Sequence, residues 1–204
     1  MADSVENLDR SAPFVHPSAA IESGVSIGSG TRIWSSVQVR TGARIGRDCN
    51  IGRNVFIDLG VVIGDCVKVQ NNSSLYEGVV IEDGAFIGPH VIFTNDRIPR
   101  SITPGGRPKD TDDWELGSTT VCTGASLGAG TVVVTGTTIG AWAMVGSGTV
   151  VTRDIPAHAL VVGNPGRVIG WITAGGQRCE TQAEVQTRTA DEIAMEDDIE
   201  RSQP

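Results

Sequence analysis

The sequence predicts an all-β chain wound as a parallel β-helix of about seven three-sided coils, with one inserted loop and a short C-terminal cap. Three observations predict it. A bulky apolar residue recurs at every sixth position, a smaller residue follows each of them four positions later, and turn formers such as Gly24, Gly30, Gly42, Asn54 and Gly60 fill the gaps. A period of six fits neither the 3.6-residue α-helix nor the two-residue alternation of a half-buried strand. It is the period of short strand-and-turn units stacked into a solenoid.

The first series runs Val15, Ile21, Ile27, Ile33, Val39, Ile45, Ile51, Ile57, Ile63, Val69, Leu75, Ile81, Ile87, Phe93. Its smaller partners include Ala19, Val25, Thr31, Val37, Ala43, Cys49, Val55, Ser73, Ala85 and Val91, and the pairing fails only at Arg97. A segment rich in Pro, Gly and Asp, from Pro99 to Asp113, then abandons the pattern. The series resumes as Val121, Leu127, Val133, Ile139, Val145 and Val151. The step from 93 to 121 is not a multiple of six, so one hexad carries an insertion of 22 residues. Fourteen hexads, the last of them enlarged, and six more make about seven coils of three sides.

These counts place the β-helix at 13–156, the loop insertion near 99–120, a cap at 157–178 and an acidic tail at 179–204. Asp154-Ile155-Pro156 stops the repeat, and Ala159 to Ile172 reads as a strand and turn covering the open end, which exposed strand edges require. The tail, rich in Gln, Thr and Glu, is expected to be disordered or at most a surface helix. Its helical hint is ADEIAMEDDIE.

Composition agrees. With aromatics at 4%, the core must be built from small β-branched residues. The net charge is −8, and −6 of it falls between Glu180 and Pro204. The body is therefore near neutral and can carry local basic patches for an anionic ligand, but nothing marks it as a nucleic-acid binder. Cys49, Cys66, Cys122 and Cys179 lack C-x-x-C spacing, so neither zinc nor a disulfide framework is expected. No stretch approaches the roughly 18 apolar residues of a membrane span, and MADSVENLDR lacks the basic and apolar regions of a signal peptide. A cytoplasmic protein without membrane insertion is the expectation.

Three sides of six residues stack positions 18 apart. Glu77 then lies under Asn95, Tyr76 under Thr94 and Asn72 under His90, all near the departing loop. This polar grouping is chemically richer than a hexad requires. His16, His90 and His158 fall in the first coil, at a central corner and in the cap, so three histidines cannot converge on a metal within one subunit.

The I-G-x-x-small-x repeats resemble the hexapeptide family of left-handed β-helix acyltransferases over roughly residues 13–170. At the break, QNNSSLYEG, FIGPHVIFTND and PRS, with VVTRDIPAHALVVGNPGRVIGW later, resemble N-acetyltransferases of nucleotide-linked 3-amino sugars. Their uridine diphosphate 2-acetamido-3-amino-2,3-dideoxyglucuronate type is nearest in pattern, with thymidine diphosphate 3-amino-6-deoxyhexoses as neighbours. The resemblance implies left-handed coiling, a homotrimer with active sites between subunits, acetyl-CoA as co-substrate and a UDP- or dTDP-linked amino sugar as acceptor. Such enzymes serve cell-surface polysaccharide or glycoside biosynthesis. Two departures stand out: Ile33-Trp34-Ser35-Ser36 replaces the group's frequent Ile-Trp-His-Phe, and Thr135-Gly136 replaces its Cys-Gly.

On that reading Asn95 contacts the substrate, Glu77 or Asn95 orients the amine, and Glu77 or His90 receives its proton. Asn72, Tyr76, Arg97 and Arg100 would contact the sugar nucleotide. Gly124, Ala125, Ala141 and Trp142 would line the pantetheine arm, the glycine and alanines with backbone N–H groups, and Arg153 and Arg167 would meet the phosphates of CoA. The alternatives are a hexapeptide O-acetyltransferase of serine or a simple sugar, whose hydroxyl acceptor needs a stronger base, and a non-catalytic β-helical scaffold.

Overall fold

A computed structural model describes residues 11–189 and 192. Two-residue strands separated by turns form three parallel sheets, one per side of the solenoid. The first face climbs from Phe14–Val15 through Arg32–Ile33, Asn50–Ile51, Lys68–Val69 and Phe86–Ile87 to Met144–Val145. The second runs from Ala20–Ile21 to Val150–Val151 and the third from Ser26–Ile27 to Thr138–Ile139.

Register follows the sequence spacing. Phe14 pairs with Arg32, Ala20 with Gln38 and Ser26 with Arg44, a constant offset of 18. Above the insertion the offset becomes 40, as in Phe86 with Ser126 and Val80 with Thr120, and then returns to 18. The 22 extra residues therefore leave the ladder unshifted. The first face also carries an eighth parallel strand, Ala159–Val162, paired with Met144–Val145. The solenoid thus reaches about eight turns there, one strand more than the seven coils counted, because the segment read as cap first continues the helix.

The aliphatic series faces inward. Ile33, Ile51, Ile57, Ile87 and Phe93 are fully buried, and the smaller partners, such as Val37, Ala43 and Val91, fill the corners of the same core. Corner residues turn the chain by taking left-handed angles, which Asn tolerates better than most residues. Asn54, Asn72 and His90 have φ of 57°, 62° and 58°.

The loop leaves earlier than the expected boundary near 99. Gly117 N–H donates to Asn95 C=O at 3.1 Å, which closes a neck around the excursion, and strand Thr119–Val121 already belongs to the solenoid. Gly117 is obligatory here, since a Cβ on it would collide with the Thr135 side chain. Thr135 itself is buried, so this departure from the Cys-Gly pattern serves packing at the neck.

At the top, Arg167–Ile172 pairs antiparallel with Ala159–Val162, and Arg178–Cys179 pairs antiparallel with Arg167–Ile172. The expected disorder beyond 179 does not hold for its first part. Residues 182–189 are helical and Cys179 and Val185 are buried. Thr181 Oγ accepts from Glu184 N–H at 3.4 Å, a capping arrangement spelled by Thr-x-x-Glu. The Glu192 carboxylate takes Thr173 Oγ1 at 2.5 Å and Gly175 N–H at 2.8 Å. Apart from Glu192, the ADEIAMEDDIE stretch lies outside the described residues.

Ile87 sits in the middle of the inward ladder, where truncation leaves a cavity that neighbouring coils cannot collapse into without losing register. Ile87→Ala should cost about 2–5 kcal/mol, read as a lowered urea midpoint by circular dichroism; an unchanged midpoint would show that the ladder is not what holds the coils.

Candidate functional site

The second-to-third corner stacks side chains in a column of Glu22, Arg40, Asp58, Tyr76 and Thr94, which the 18-residue register places one above another. Arg40 links the lower members, with Nε 3.5 Å from Glu22 Oε1 and Nη1 3.1 Å from Asp58 Oδ1. Leu59 N–H also donates to Asp58 Oδ1, at 2.8 Å. Asp58 is only 8% exposed. Above it Tyr76 stands half out of the surface, its ring tilted against Phe56 with centroids 5.7 Å apart.

The inserted loop folds over this column. Ile102 and Pro108 bridge antiparallel, Thr103 N–H donates to Arg107 C=O at 2.8 Å, and Lys109 N–H to Ser101 C=O at 3.0 Å. A 3-10 turn at Thr111–Asp113 follows, capped by Asp110. Arg107 ties the two parts together, with Nη2 2.6 Å from Asp113 Oδ1 and Nη1 3.1 Å from Asp110 Oδ2. Between loop and coil lies a cleft of roughly 530 Å³ lined by Asp58, Tyr76, Asn95, Asp96, Arg100, Ser101, Lys109, Asp110 and Trp114. That size suits a small-molecule ligand, and the walls carry both signs of charge.

Of the residues singled out in the sequence, Tyr76, Asn95 and Arg100 meet in this cleft. Glu77 keeps its register position and its N–H lies 3.4 Å from Asp58 Oδ2, but its side chain does not line the cleft. Arg97 does not join Arg100: its guanidinium lies over Gly136, where an added Cβ would come 2.8 Å from Nη2. Asn72 and His90 occupy the first-to-second corner, one side of the coil away. There Asn54 Nδ2 donates to Asn72 Oδ1 at 3.0 Å, so Asn72 Nδ2 faces His90 Nε2 at 3.3 Å as a donor. That contact engages the Nε2 nitrogen that would act as a base. The single polar grouping expected around the break is thus two groupings on adjacent corners.

The expected cofactor residues also divide. Gly124, Ala125, Ala141 and Trp142 stand at the third-to-first corner. Gly124 N–H is spent on Asp83 C=O at 2.9 Å and Ala125 N–H on Cys122 C=O at 3.1 Å. The Ala125 side chain is buried in the core. Neither N–H is available to a pantetheine arm, because the coil itself needs these donors. Trp142, 41% exposed, lays its ring over Gly124, where a Cβ would approach ring atoms to 2.6 Å. Arg153 and Arg167 are exposed and sit at the two ends of strand Val150–Val151; Gly166, just before Arg167, donates its N–H to Val150 C=O at 2.8 Å. A flat indole and two guanidinium groups suit a nucleotide carrier; Trp142 stands at the third-to-first corner, Arg153 just beyond strand Val150–Val151 and Arg167 on strand Arg167–Ile172.

Sequence reasoning missed Asp58, Asp96, Lys109, Asp110 and Trp114. The 18-residue rule that stacks Glu77 under Asn95 also stacks Glu22, Arg40 and Asp58, and that alternation of charge was a readable signal. The loop residues had none, since the repeat assigns no position to an insertion. Among the described residues no three His, Cys, Asp or Glu side chains are grouped to hold a metal ion, and no helix is long and apolar enough to cross a membrane.

The repeat and the inserted loop define a hexapeptide-repeat solenoid with a cleft at one corner. Residues 24–58 and 60–95 match the family described as bacterial transferase hexapeptide (six repeats), and residues 42–77 and 123–153 match the hexapeptide repeat of succinyl-transferase. The chain belongs to the hexapeptide-repeat transferase family. It is 33% identical over 118 residues to a serine acetyltransferase of Bacillus pumilus, covering 56% of this chain and 42% of the relative. It is 47% identical over 57 residues to dTDP-3-amino-3,6-dideoxy-alpha-D-galactopyranose 3-N-acetyltransferase of Aneurinibacillus thermoaerophilus, covering 28% and 30%. A maltose O-acetyltransferase structure from Clostridium difficile superposes with a TM-score of 0.55 at 27% identity, covering 63% and 68%. The chain spans less than half the length of the curated relatives it matches.

The Arg107 hydrogen bond holds the Asp113 carboxyl below its usual range, aided by the Asp110 N–H, and the same pair raises Arg107. A lowered carboxyl value means that the tie is present above the ordinary carboxylate range and is lost as pH falls through the folded value. Loop order should therefore hold from neutral to mildly acid pH and fail only in strong acid. Asp113→Asn should reproduce that loosening at pH 7, with hydrogen exchange at the Lys109 and Thr103 amides several-fold faster and core amides unchanged; equal loop exchange in both proteins would refute it.

Proposed function

We propose that this protein is an N-acetyltransferase that moves acetyl from acetyl-CoA to the amino group of a UDP- or dTDP-linked amino sugar, for cell-surface polysaccharide or glycoside biosynthesis. The observation that carries the reading is the mixed-charge cleft between the inserted loop and the Tyr76 corner, with Asn95 at the loop neck. A nucleotide-linked amino sugar presents an ammonium, hydroxyls and a diphosphate, and the cleft offers carboxylates, an amide and a phenol, and the cations Arg100 and Lys109. The short segment shared with a dTDP-3-amino-sugar N-acetyltransferase supports it.

Acetyl-CoA supplies the activated acetyl thioester, with Trp142, Arg153 and Arg167 as the residues to hold it. Asn95 hydrogen-bonds the acceptor and aligns its amine. Nitrogen must be neutral to form the amide; Glu77, whose side chain lies outside the cleft lining, takes the proton through water. Within one chain His90 faces away from the cleft. In a homotrimer it would act only where a neighbouring subunit brings its corner against the loop. The protein is expected to work in the cytoplasm, where these substrates are made.

Serine O-acetylation is the second reading, favoured by the longer aligned segment in serine acetyltransferases. It demands a base able to activate a hydroxyl, and the Asn72 bond to His90 Nε2 works against that role.

Thiol release from acetyl-CoA separates the two. A 3-amino sugar nucleotide should stimulate release well above background while serine and the 3-hydroxy nucleotide sugar do not; stimulation by serine alone would overturn the first reading. Asn95→Ala should lower kcat/KM by about 10²-fold, the range for losing a positioned transition-state contact, with the oligomer intact by sedimentation. Activity unchanged in both Asn95→Ala and Glu77→Ala would place the chemistry at another corner.

A further inference from the structure

Asp58 is the deepest charged group of the cleft and no step above uses it. Its two oxygens are unequally engaged. Oδ1 accepts from Arg40 Nη1 at 3.1 Å and from Leu59 N–H at 2.8 Å. Oδ2 has one long backbone donor, Glu77 N–H at 3.4 Å. A carboxylate oxygen accepts two or more good hydrogen bonds, and leaving Oδ2 short of them in a residue only 8% exposed is costly unless a ligand supplies the rest. Arg40 balances the charge on one side only, because Glu22 at 3.5 Å draws on the same guanidinium. The carboxylate is clamped from below and open toward the cleft it floors.

We propose that Asp58 is the specificity-determining residue for the acceptor, using Oδ2 to take an N–H of a cationic or neutral amine and to discriminate against an acceptor with a hydroxyl at that position. An ammonium offers three donors and a positive charge, whereas a hydroxyl offers one donor and brings a lone pair toward a buried anion. Asp96 and Asp110 on the same walls add to the preference for a cation, while Arg100 and Lys109 accept the acceptor's anionic part. The acceptor class is thus a molecule carrying an amine and an anionic group a few bonds apart. This deepens the N-acetyltransferase reading and rests on it for the chemistry, but the amine selectivity is a binding property that is measurable without turnover.

Calorimetric titration of the full-length protein with a 3-amino nucleotide sugar and with its 3-hydroxy counterpart, both without acetyl-CoA, tests it. The wild type should bind the amine at least tenfold tighter, in the range expected for a charge-assisted hydrogen bond, and Asp58→Asn should bring the two affinities within about twofold. Arg40→Gln, which removes the clamp on Oδ1 and leaves Oδ2 in place, should keep most of the preference; a purely structural role for Asp58 predicts that both variants lose it together. Melting temperatures of both variants confirm that the corner still folds. Equal binding of the two ligands by the wild type, or an amine preference that survives Asp58→Asn, overturns the assignment. Absence of thiol release in a protein that still shows Asp58-dependent amine binding would overturn the transferase reading and leave this one standing.

Discussion

Everything in this molecule depends on backbone hydrogen bonding between coils at a fixed offset. Each two-residue strand donates to the coil above it and accepts from the coil below, so an N–H or C=O in the wrong place would be orphaned against a dry core. Three requirements follow from that ladder. The inward position must be aliphatic, the corner must turn in about four residues, and the turn must accept a left-handed angle. Asn54, Asn72 and His90 meet the third requirement without glycine. They also show why a polar residue at such a corner is weak evidence of chemistry: the turn already explains it.

The ladder limits what the surface can do. Backbone donors at ordinary corners are consumed by the solenoid itself, Gly124 N–H by Asp83 C=O of the preceding coil and Ala125 N–H by Cys122 C=O of its own turn, so a ligand must be met by side chains or by segments that have left the repeat. Both occur at one place. The column from Glu22 to Thr94 supplies fixed side chains, and the excursion between Asn95 and Gly117 supplies a second wall. A carboxylate buried in that column is held by an arginine from the coil beneath, so the site takes its rigidity from the same stacking that makes the core.

Much of this was legible in the sequence. The inward residues, the three-sided coil, the 22-residue insertion and the intact register above it all follow from counting, because a strict period leaves one solution. Asn95 and Arg100 drew notice because they stand where that period breaks, and Tyr76 because it is a polar aromatic beside an intact hexad near the break. Counting did not reveal that His90 and Asn72 stand on a different corner from Tyr76, since positions four to six residues apart look adjacent in a list yet lie around a bend. The loop's own fold was not legible either: Arg107 reaching Asp110 and Asp113 depends on a hairpin that no periodicity announces. The capping threonine before the terminal helix was visible, but the acidic composition around it pointed the other way.

The neck at Asn95 and Gly117 joins loop to coil through one hydrogen bond and one close-packed glycine, and the strands on either side keep their partners whatever lies between. The solenoid is therefore indifferent to the length and content of the excursion. Such a design separates inheritance of the scaffold from inheritance of the acceptor: a lineage can exchange the piece beyond the neck, and with it the molecule that is recognised, while every coil goes on folding as before.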